Sequence, residues 1–339
     1  MYRLSTDRFI GLPRLVRLSV GSAVVLGLLE GKLNASPSTA YLMTYKKGKC
    51  LANCGFCSQA RESKSGSELL SRVSWPTFPA CQVVERLEAA FHTGKIGRVC
   101  IQALNYASVF DDLSTLVQAI KSRVAIPVSV SCQPKNEQDI ARLHNSGVDR
   151  IGIALDASTE ELFKEIKGSR ALGPYEWNEQ FRKLREAVAV FGEGNVSTHL
   201  IAGLGETEQE LLGLVQKIVD MGVLPALFAF TPIRGTRCEG FPQPAIDSYR
   251  RVQLARHLIV TGLVRQEDMR FNSEGKTASF AVDESLLNLM IDSGMPFLTS
   301  GCPDCNRPFY NEKPSGPLYN YPRSPTLQEI ESIRRSLRM

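Results

Sequence analysis

VSTHLIAGLGETEQELLGLVQKIVDM, residues 196–221, holds the pattern on which the fold reading turns. Val196–Ala202 is apolar almost throughout, the composition of a strand buried on both faces. Gly203-Leu204-Gly205-Glu206-Thr207 turns the chain, and beyond it Leu211, Leu212, Val215, Ile218 and Val219 fall on one face at helical spacing. Strand, glycine turn and amphipathic helix make one β/α unit. Outward from it the unit recurs. Strands are predicted at Ala40–Tyr45, Arg98–Leu104, Pro127–Cys132, Arg150–Leu155, Val196–Ala202, Ala226–Thr231, Asp268–Asn272 and Pro296–Ser300. Between them lie helical segments at Gln82–Phe91, Leu113–Lys121, Glu137–Ser146, Trp177–Phe191, Glu208–Met221 and Ile246–Val260. Eight strands, nearly all followed by helices, is the count of a closed parallel barrel. The expected fold is therefore α/β, a (β/α)8 TIM-type barrel over residues 40–305.

Residues 1–39 form an N-terminal extension. Its apolar stretch Leu18–Leu29 is too short to span a bilayer. Arg14 and Arg17 precede it as in a signal peptide, but no small-residue cleavage site follows cleanly. It is read as a helix packing on the barrel, and the protein as cytoplasmic. Residues 306–339 form a tail rich in Pro, Asn, Tyr and Gly, then a closing helix, Thr326–Leu337. Acidic Glu329 and Glu331 come early in that helix and Arg334, Arg335 and Arg338 late, matching the macrodipole.

Hydrophobic residues make up 43% of the 339 and charged residues 22%, enough for a sizeable core. The net charge of +5 suits an anionic cofactor or an acidic partner, and no basic run is dense enough for nucleic acid. Nine cysteines is an odd number for a disulfide framework. Their clustering points to metal ligation in a reducing compartment.

Cys50-x3-Cys54-x2-Cys57 brings three thiolates onto one loop after the first strand. Three protein ligands satisfy three irons of a 4Fe–4S cluster and leave the fourth open to an exogenous ligand. A zinc knuckle or a ferredoxin-type set needs a fourth local ligand, which no nearby His or Cys supplies. Cys302-Pro303-Asp304-Cys305 follows the eighth strand, which neighbours the first on barrel closure. Both cysteine groups are thus expected at one mouth, where barrel enzymes place their chemistry.

This spacing resembles that of the radical S-adenosylmethionine superfamily, whose open iron chelates the methionine's amino and carboxylate groups. The resemblance implies a role for Phe56 beside the adenine. Gly203 and Gly205 resemble a segment packing on that adenine, although a plain turn capped by Thr207 fits as well. Asp156 resembles the ribose-hydroxyl acceptor, or else caps the helix near Thr159. Arg170 holds the methionyl carboxylate, or is a solvated surface residue. Lys46, Lys47 and Lys49 raise local positive potential or form a solvated loop.

Cys54-Gly55-Phe56-Cys57-Ser58-Gln59 is similar to the biotin synthase-like branch. There Val99-Cys100-Ile101 and Ser131-Cys132-Gln133 match positions that hold a second, sulfur-donating cluster. Each cysteine could equally be a small buried hydrophobe. Two further ligands of that cluster are missing: Ser197 stands in place of a cysteine, and the arginine region aligns at 269–276 only with a shift. The tail Gly301–Glu312 resembles the two-component lipoyl synthases. That resemblance implies sulfur insertion at C6 and C8 of an octanoyl chain on a lipoyl-carrier domain, alongside a partner synthase and a ferredoxin- or flavodoxin-type electron donor.

On this reading an auxiliary 4Fe–4S cluster is held by Cys302, Cys305, Cys132 and Cys100, with Cys238 as rival fourth ligand and Cys81 structural. Arg307, Tyr310 and Asn311 line the substrate channel. His199 points inward, with a hydrogen-bonded core histidine as the simpler reading. Trp75 lies in a branch-like segment without an assigned role. The alternative function is biotin synthase or another enzyme of that branch.

Overall fold

The computed structural model describes residues 11–337. Residues 1–10 of the expected extension, and Arg338 of the closing helix, lie outside it. Strand β1 (Leu15–Leu18) opens the described chain. Ser19 then caps the six-residue helix α1 (Val20–Val25) by accepting from Ser22 N. This corrects the helix expected over Leu18–Leu29. Val16 and Leu18 are buried, β1 pairs antiparallel with β2 (Thr39–Thr44), and Gly27 at φ +67° ends the helical turn. A short hairpin, β3 (Leu69–Leu70) and β4 (Val73–Ser74), precedes β5 (Thr77–Pro79), which pairs with β1.

The β/α alternation then runs α2 (Ala80–His92), β6 (Arg98–Gln102), α3 (Val109–Lys121), β7 (Val128–Ser131), α4 (Glu137–Asn145), β8 (Arg150–Gly152), α5 (Glu160–Ile166), α6 (Trp177–Phe191), β9 (Val196–Ala202), α7 (Glu208–Asp220), β10 (Val223–Ala229) and α8 (Ile246–Val260). Six parallel strands lie in the order β2-β6-β7-β8-β9-β10, extended beyond β2 by antiparallel β1 and then β5. All of β2 is buried, as two-face covering demands. Thr207 and Glu210 form a capping box at the start of α7.

The seventh and eighth parallel strands are absent among the described residues. Within Asp268–Asn272 only Arg270–Phe271 is strand (β11), paired antiparallel with β12 (Thr277–Ser279) in a separate hairpin. The flanking charges at Glu267, Asp268 and Arg270 suit an exposed hairpin and not a two-face-buried strand. Helix α9 (Glu284–Ser293) ends at Gly294, φ +68°, and Met295–Phe297 continues as a 3-10 turn holding Pro296. One bridge, Leu298 to Tyr321, is all the pairing there. Ser300 Oγ instead accepts Leu227 N at 2.8 Å, so a side chain covers part of the β10 edge. The closing helix is α10 (Leu327–Ser336), with its own capping box.

Candidate active site

The strand C-termini carry the cysteine loop. Its backbone is pinned on three sides: Leu51 N donates to Asn105 O at 2.8 Å, Gly55 N to Ile166 O at 2.7 Å, and Arg61 N to Ala52 O at 2.9 Å. Lys49, for which a local positive potential and a solvated loop both stood open, donates to Ser58 O and Ser65 O at 2.6 Å each. Gln59 Nε2 holds Ser67 O and Leu69 O. Cys50, Cys54 and Cys57 line a cavity of about 170 Å³. Backbone N–H groups of Asn105 and Ala52 point at Cys50 Sγ, 3.0 and 3.4 Å away. Burial pushes the Cys57 thiol up to about 12 and Cys54 higher still. Among the described residues no three His, Cys, Asp or Glu side chains close around a single-ion position. Soft donors spread around a cavity suit a cluster that takes each ligand on a different iron. The donor set fits.

Phe56 lines the same cavity and packs on a small apolar cluster with Phe163, Leu204 and Phe230. Asp156 stands at its edge with φ +69°, a conformation a non-glycine residue adopts at a cost. Its carboxylate meets Lys167 Nζ at 2.7 Å, both side chains under 10% exposed, at 2% and 9%. Lys167 also donates to Ala154 O at 2.5 Å and sits 5.1 Å from the centre of the Tyr175 ring. Arg170, by contrast, is half exposed and pairs with Glu161 and Glu165, so the carboxylate-holding role drawn from resemblance does not match its position. The buried cation here is Lys167. Its burial is a tertiary matter: Lys167 lies just past the end of α5 and is enclosed by Asp156 and Tyr175.

Gly173 keeps that lysine loop closed, because a Cβ there would lie 1.9 Å from Lys167 O. Gly173→Ala is expected to destabilise the fold by about 1–3 kcal/mol or more through overpacking. An unchanged urea midpoint would show that the loop yields freely.

Gly203 and Gly205, at φ +100° and +122°, occupy backbone that side chains rarely adopt. Glu206 accepts from Gly203 N and Leu204 N at 2.6 and 3.0 Å, closing the turn on itself. Leu204, between the glycines, reaches the Phe56 cluster, while the glycines face a separate surface cavity.

Cys302 and Cys305 do not reach the mouth. After Leu298 the chain drops to the N-terminal ends of the strands, where Ser38 Oγ and Thr39 Oγ1 donate to Asp304 O and Arg98 Nε to Pro303 O. Without an eighth strand nothing carries this segment upward, so the shared mouth expected from closure is corrected to opposite ends of one interior. Cys302 Sγ lies 3.4 Å from Ser129 Oγ, and Cys305 Sγ 3.5 Å from Tyr41 Oη.

The strand register sets Tyr41, Cys100 and Ser129 side by side in one layer. Burial lifts the Cys100 thiol to about 12, Cys302 and Cys305 add to the rise, and Arg307 opposes it. Cys100 therefore belongs with Cys302 and Cys305. Cys132 does not: it lies buried at the end of β7 and lines the upper cavity beside Cys50, Cys54 and Cys57. Cys238, the rival ligand, packs against Gly55 by the first loop, and Cys81 is half buried at the start of α2.

Between the two cysteine groups lies a cavity of about 100 Å³ that Arg307, Tyr310, Asn311, His199, Phe56 and Cys57 share. The buried Arg307 guanidinium stacks over Tyr310, Phe228 and Tyr41 at 4.5, 5.3 and 5.4 Å, with no carboxylate partner among the described residues. Asn311 Nδ2 donates to Thr231 Oγ1 at 3.3 Å. Burial, then Arg307, holds His199 down to about 3, so its ring is neutral at pH 7.

A model of the radical SAM superfamily matches residues 47–218, from just before Cys50 to within α7. The chain belongs to the radical SAM superfamily. Membership implies a 4Fe–4S cluster and S-adenosylmethionine. Similar curated proteins include the biotin synthases of Persephonella marina, 26% identical over 209 residues, and of Citrobacter koseri, 26% over 233. Those alignments take in 60% and 66% of this chain and 57% and 62% of the relatives, so the match spans under two thirds of their length. Methylornithine synthase has a similar fold, with a TM-score of 0.50 and 14% identity over 66% of this chain and 61% of that one. A maturase of the FeFe-hydrogenase superposes with a TM-score of 0.50 and 12% identity, covering 86% and 74%. These neighbours share the mixed α/β fold with a parallel central sheet. No helix of the described residues is long and apolar enough to cross a membrane.

Proposed function

We propose that this protein inserts sulfur into unactivated C–H bonds of an octanoyl chain carried on a lipoyl-carrier domain, as a radical SAM enzyme of the two-protein lipoyl synthase type. One observation carries the reading: a second thiol group, Cys100, Cys302 and Cys305, stands at the foot of the interior whose mouth holds Cys50, Cys54 and Cys57. Cys50, Cys54 and Cys57 would hold the 4Fe–4S cluster, and the lower thiols an auxiliary cluster as sulfur source. When bound, these groups and S-adenosylmethionine supply the radical that removes hydrogen and the sulfur that replaces it, chemistry beyond side chains.

The chain's own residues prepare that space. Phe56 offers an aromatic face, and Asp156, held by Lys167, offers a fixed acceptor for ribose hydroxyls. Arg307 places an unneutralised cation beside Cys100 and Cys305, offsetting the negative charge that bound thiolates would bring. Tyr310 and Asn311 bring the tail across the interior and keep water out. A partner synthase and a small electron-donor protein complete the assembly on this reading. The biotin synthase alternative draws on the named relatives, but Ser197 stands where a cysteine ligand is needed.

The deciding assay offers octanoylated carrier protein and dethiobiotin in parallel. Sulfur in the octanoyl chain alone supports the proposal, and turnover of dethiobiotin alone sinks it. Cys302→Ala/Cys305→Ala should lower iron from about eight to about four per chain. That variant should still form 5′-deoxyadenosine and insert no sulfur. Unchanged iron would remove these cysteines from the scheme.

A further inference from the structure

Each thiol of the lower group meets one polar side chain, and each of those comes from a different strand. Tyr41 Oη of β2 lies 3.5 Å from Cys305 Sγ. Ser129 Oγ of β7 donates to Cys302 Sγ at 3.4 Å, and Gln102 Nε2 of β6 donates to Cys100 Sγ at 3.1 Å. Two of the three are themselves held from behind. Arg98 Nη1 donates to Ser129 Oγ at 3.1 Å, and Arg307 N to Tyr41 Oη at 2.8 Å.

Gln102 stands apart in where its other end lies. It lines the cavity of about 170 Å³ around Cys50, Cys54 and Cys57, and also the one of about 100 Å³ beside Arg307 and Tyr310. Tyr41 and Ser129 line neither. Cys100 and Gln102 are alternate residues of β6, so the pleat puts both on the interior face. Gln102 is the last residue of that strand, one step nearer the mouth. This one side chain therefore touches the lower sulfur site and the upper space together.

The contact has a chemical direction. A thiolate offers lone pairs and no proton, so a carboxamide facing it must present its N–H2 end. The carbonyl oxygen is then left for the cavity side. When a carbon radical forms a C–S bond to a sulfide, that sulfur becomes a thiolate and one electron passes to iron. An N–H···S bond favours the more negative, reduced form, and hydrogen bonds to the sulfurs are among the levers that set a cluster's potential.

We infer that Gln102 is a positioning residue for sulfur transfer. Its amide holds Cys100 on the side of the lower group that faces the radical, and its N–H raises the potential at which that group takes up the electron. The inference rests on the reading that Cys100, Cys302 and Cys305 hold an iron–sulfur cluster.

The test uses full-length Cys50→Ala/Cys54→Ala/Cys57→Ala protein, in which the lower cluster stands alone, with its glutamine amides labelled with 15N. Pulsed paramagnetic resonance of the reduced cluster is expected to show a coupling to the label. Gln102 is the one glutamine on a lower thiol among the described residues. The coupling should therefore vanish in Gln102→Met, which keeps the length and removes the N–H. The same substitution should move the midpoint potential in the negative direction while about four irons are retained. Gln102→Glu keeps the shape, lacks the N–H and should give the same two changes, which covers a failure of the methionine variant to fold. Absence of the coupling in protein with Gln102 intact overturns the inference, as does an unmoved potential in either loaded variant. A triple variant without iron would take away the lower cluster, and the octanoyl scheme with it. Four irons without the coupling would take away the role of Gln102 alone.

Discussion

Alanine at Cys50, Cys54 or Cys57 is expected to bring 5′-deoxyadenosine formation down to background under dithionite. Loss of a mere outer-shell partner of a metal site costs roughly 10–100-fold, and loss of a direct ligand costs more. The argument is one of count. Cys50, Cys54 and Cys57 supply three donors from one loop, Cys132, which also lines the cavity, comes from the end of β7, and Cys238, though near, packs against Gly55. The substitution should spare the fold. Bonds from Leu51, Gly55 and Arg61 backbone hold the loop, and none of them involves a thiol. A variant with native circular dichroism that still yields 5′-deoxyadenosine at the unaltered rate would exclude these residues as ligands. Iron that stays at about half in the triple variant would further separate the two proposed clusters.

Lys167→Met is expected to destabilise the protein by about 3–5 kcal/mol, the cost of breaking a buried ion pair from one side. Its partner Asp156 would be left 7% exposed with no cation against it. Asp156→Asn in the same chain should recover much of that loss, because an amide needs no counter-charge and can still meet the Ala154 region by hydrogen bonding. A double-mutant cycle on chemical denaturation reads the coupling directly. Additive single effects would mean that the pair is not energetically joined. S-adenosylmethionine affinity should fall in Lys167→Met more than in Arg170→Ala, since Arg170 is tied to Glu161 and Glu165 at the surface. The opposite ranking would restore Arg170 to the site.

Much of the scaffold was legible because burial writes itself into composition. The strands now β2, β6, β7, β8, β9 and β10 were all located from apolar runs, and the helices between them from a 3.6-residue period. The two failures have one cause. Asp268–Asn272 and Pro296–Ser300 complete the expected eight as short β-like runs, yet Glu267, Asp268 and Pro296 argue locally against buried strands. Leu18–Leu29 misled for a different reason, since a short apolar run does not say whether helix or strand will bury it.

The cysteines divide in the same way. That Cys50, Cys54 and Cys57 share one loop follows from their spacing, as a short segment keeps its residues together whatever the fold. Which other cysteines meet was a tertiary matter. Cys100 and Cys132 look alike in sequence, but Cys100 lies in the lower layer with Cys302 and Cys305, whereas Cys132 lines the cavity of the first cysteine loop. Cys302 and Cys305 were sent to the foot of the sheet by a missing strand and by Ser38, Thr39 and Arg98. Lys167 and Arg307 are chemically ordinary as letters. Only packing buries them, and burial is what gives an ion pair and a lone cation their force. The sequence by itself determined the superfamily and the first donor set, because both live in local pattern. The second thiol group and the lysine beside Asp156 were decided by long-range contact, which no local pattern records.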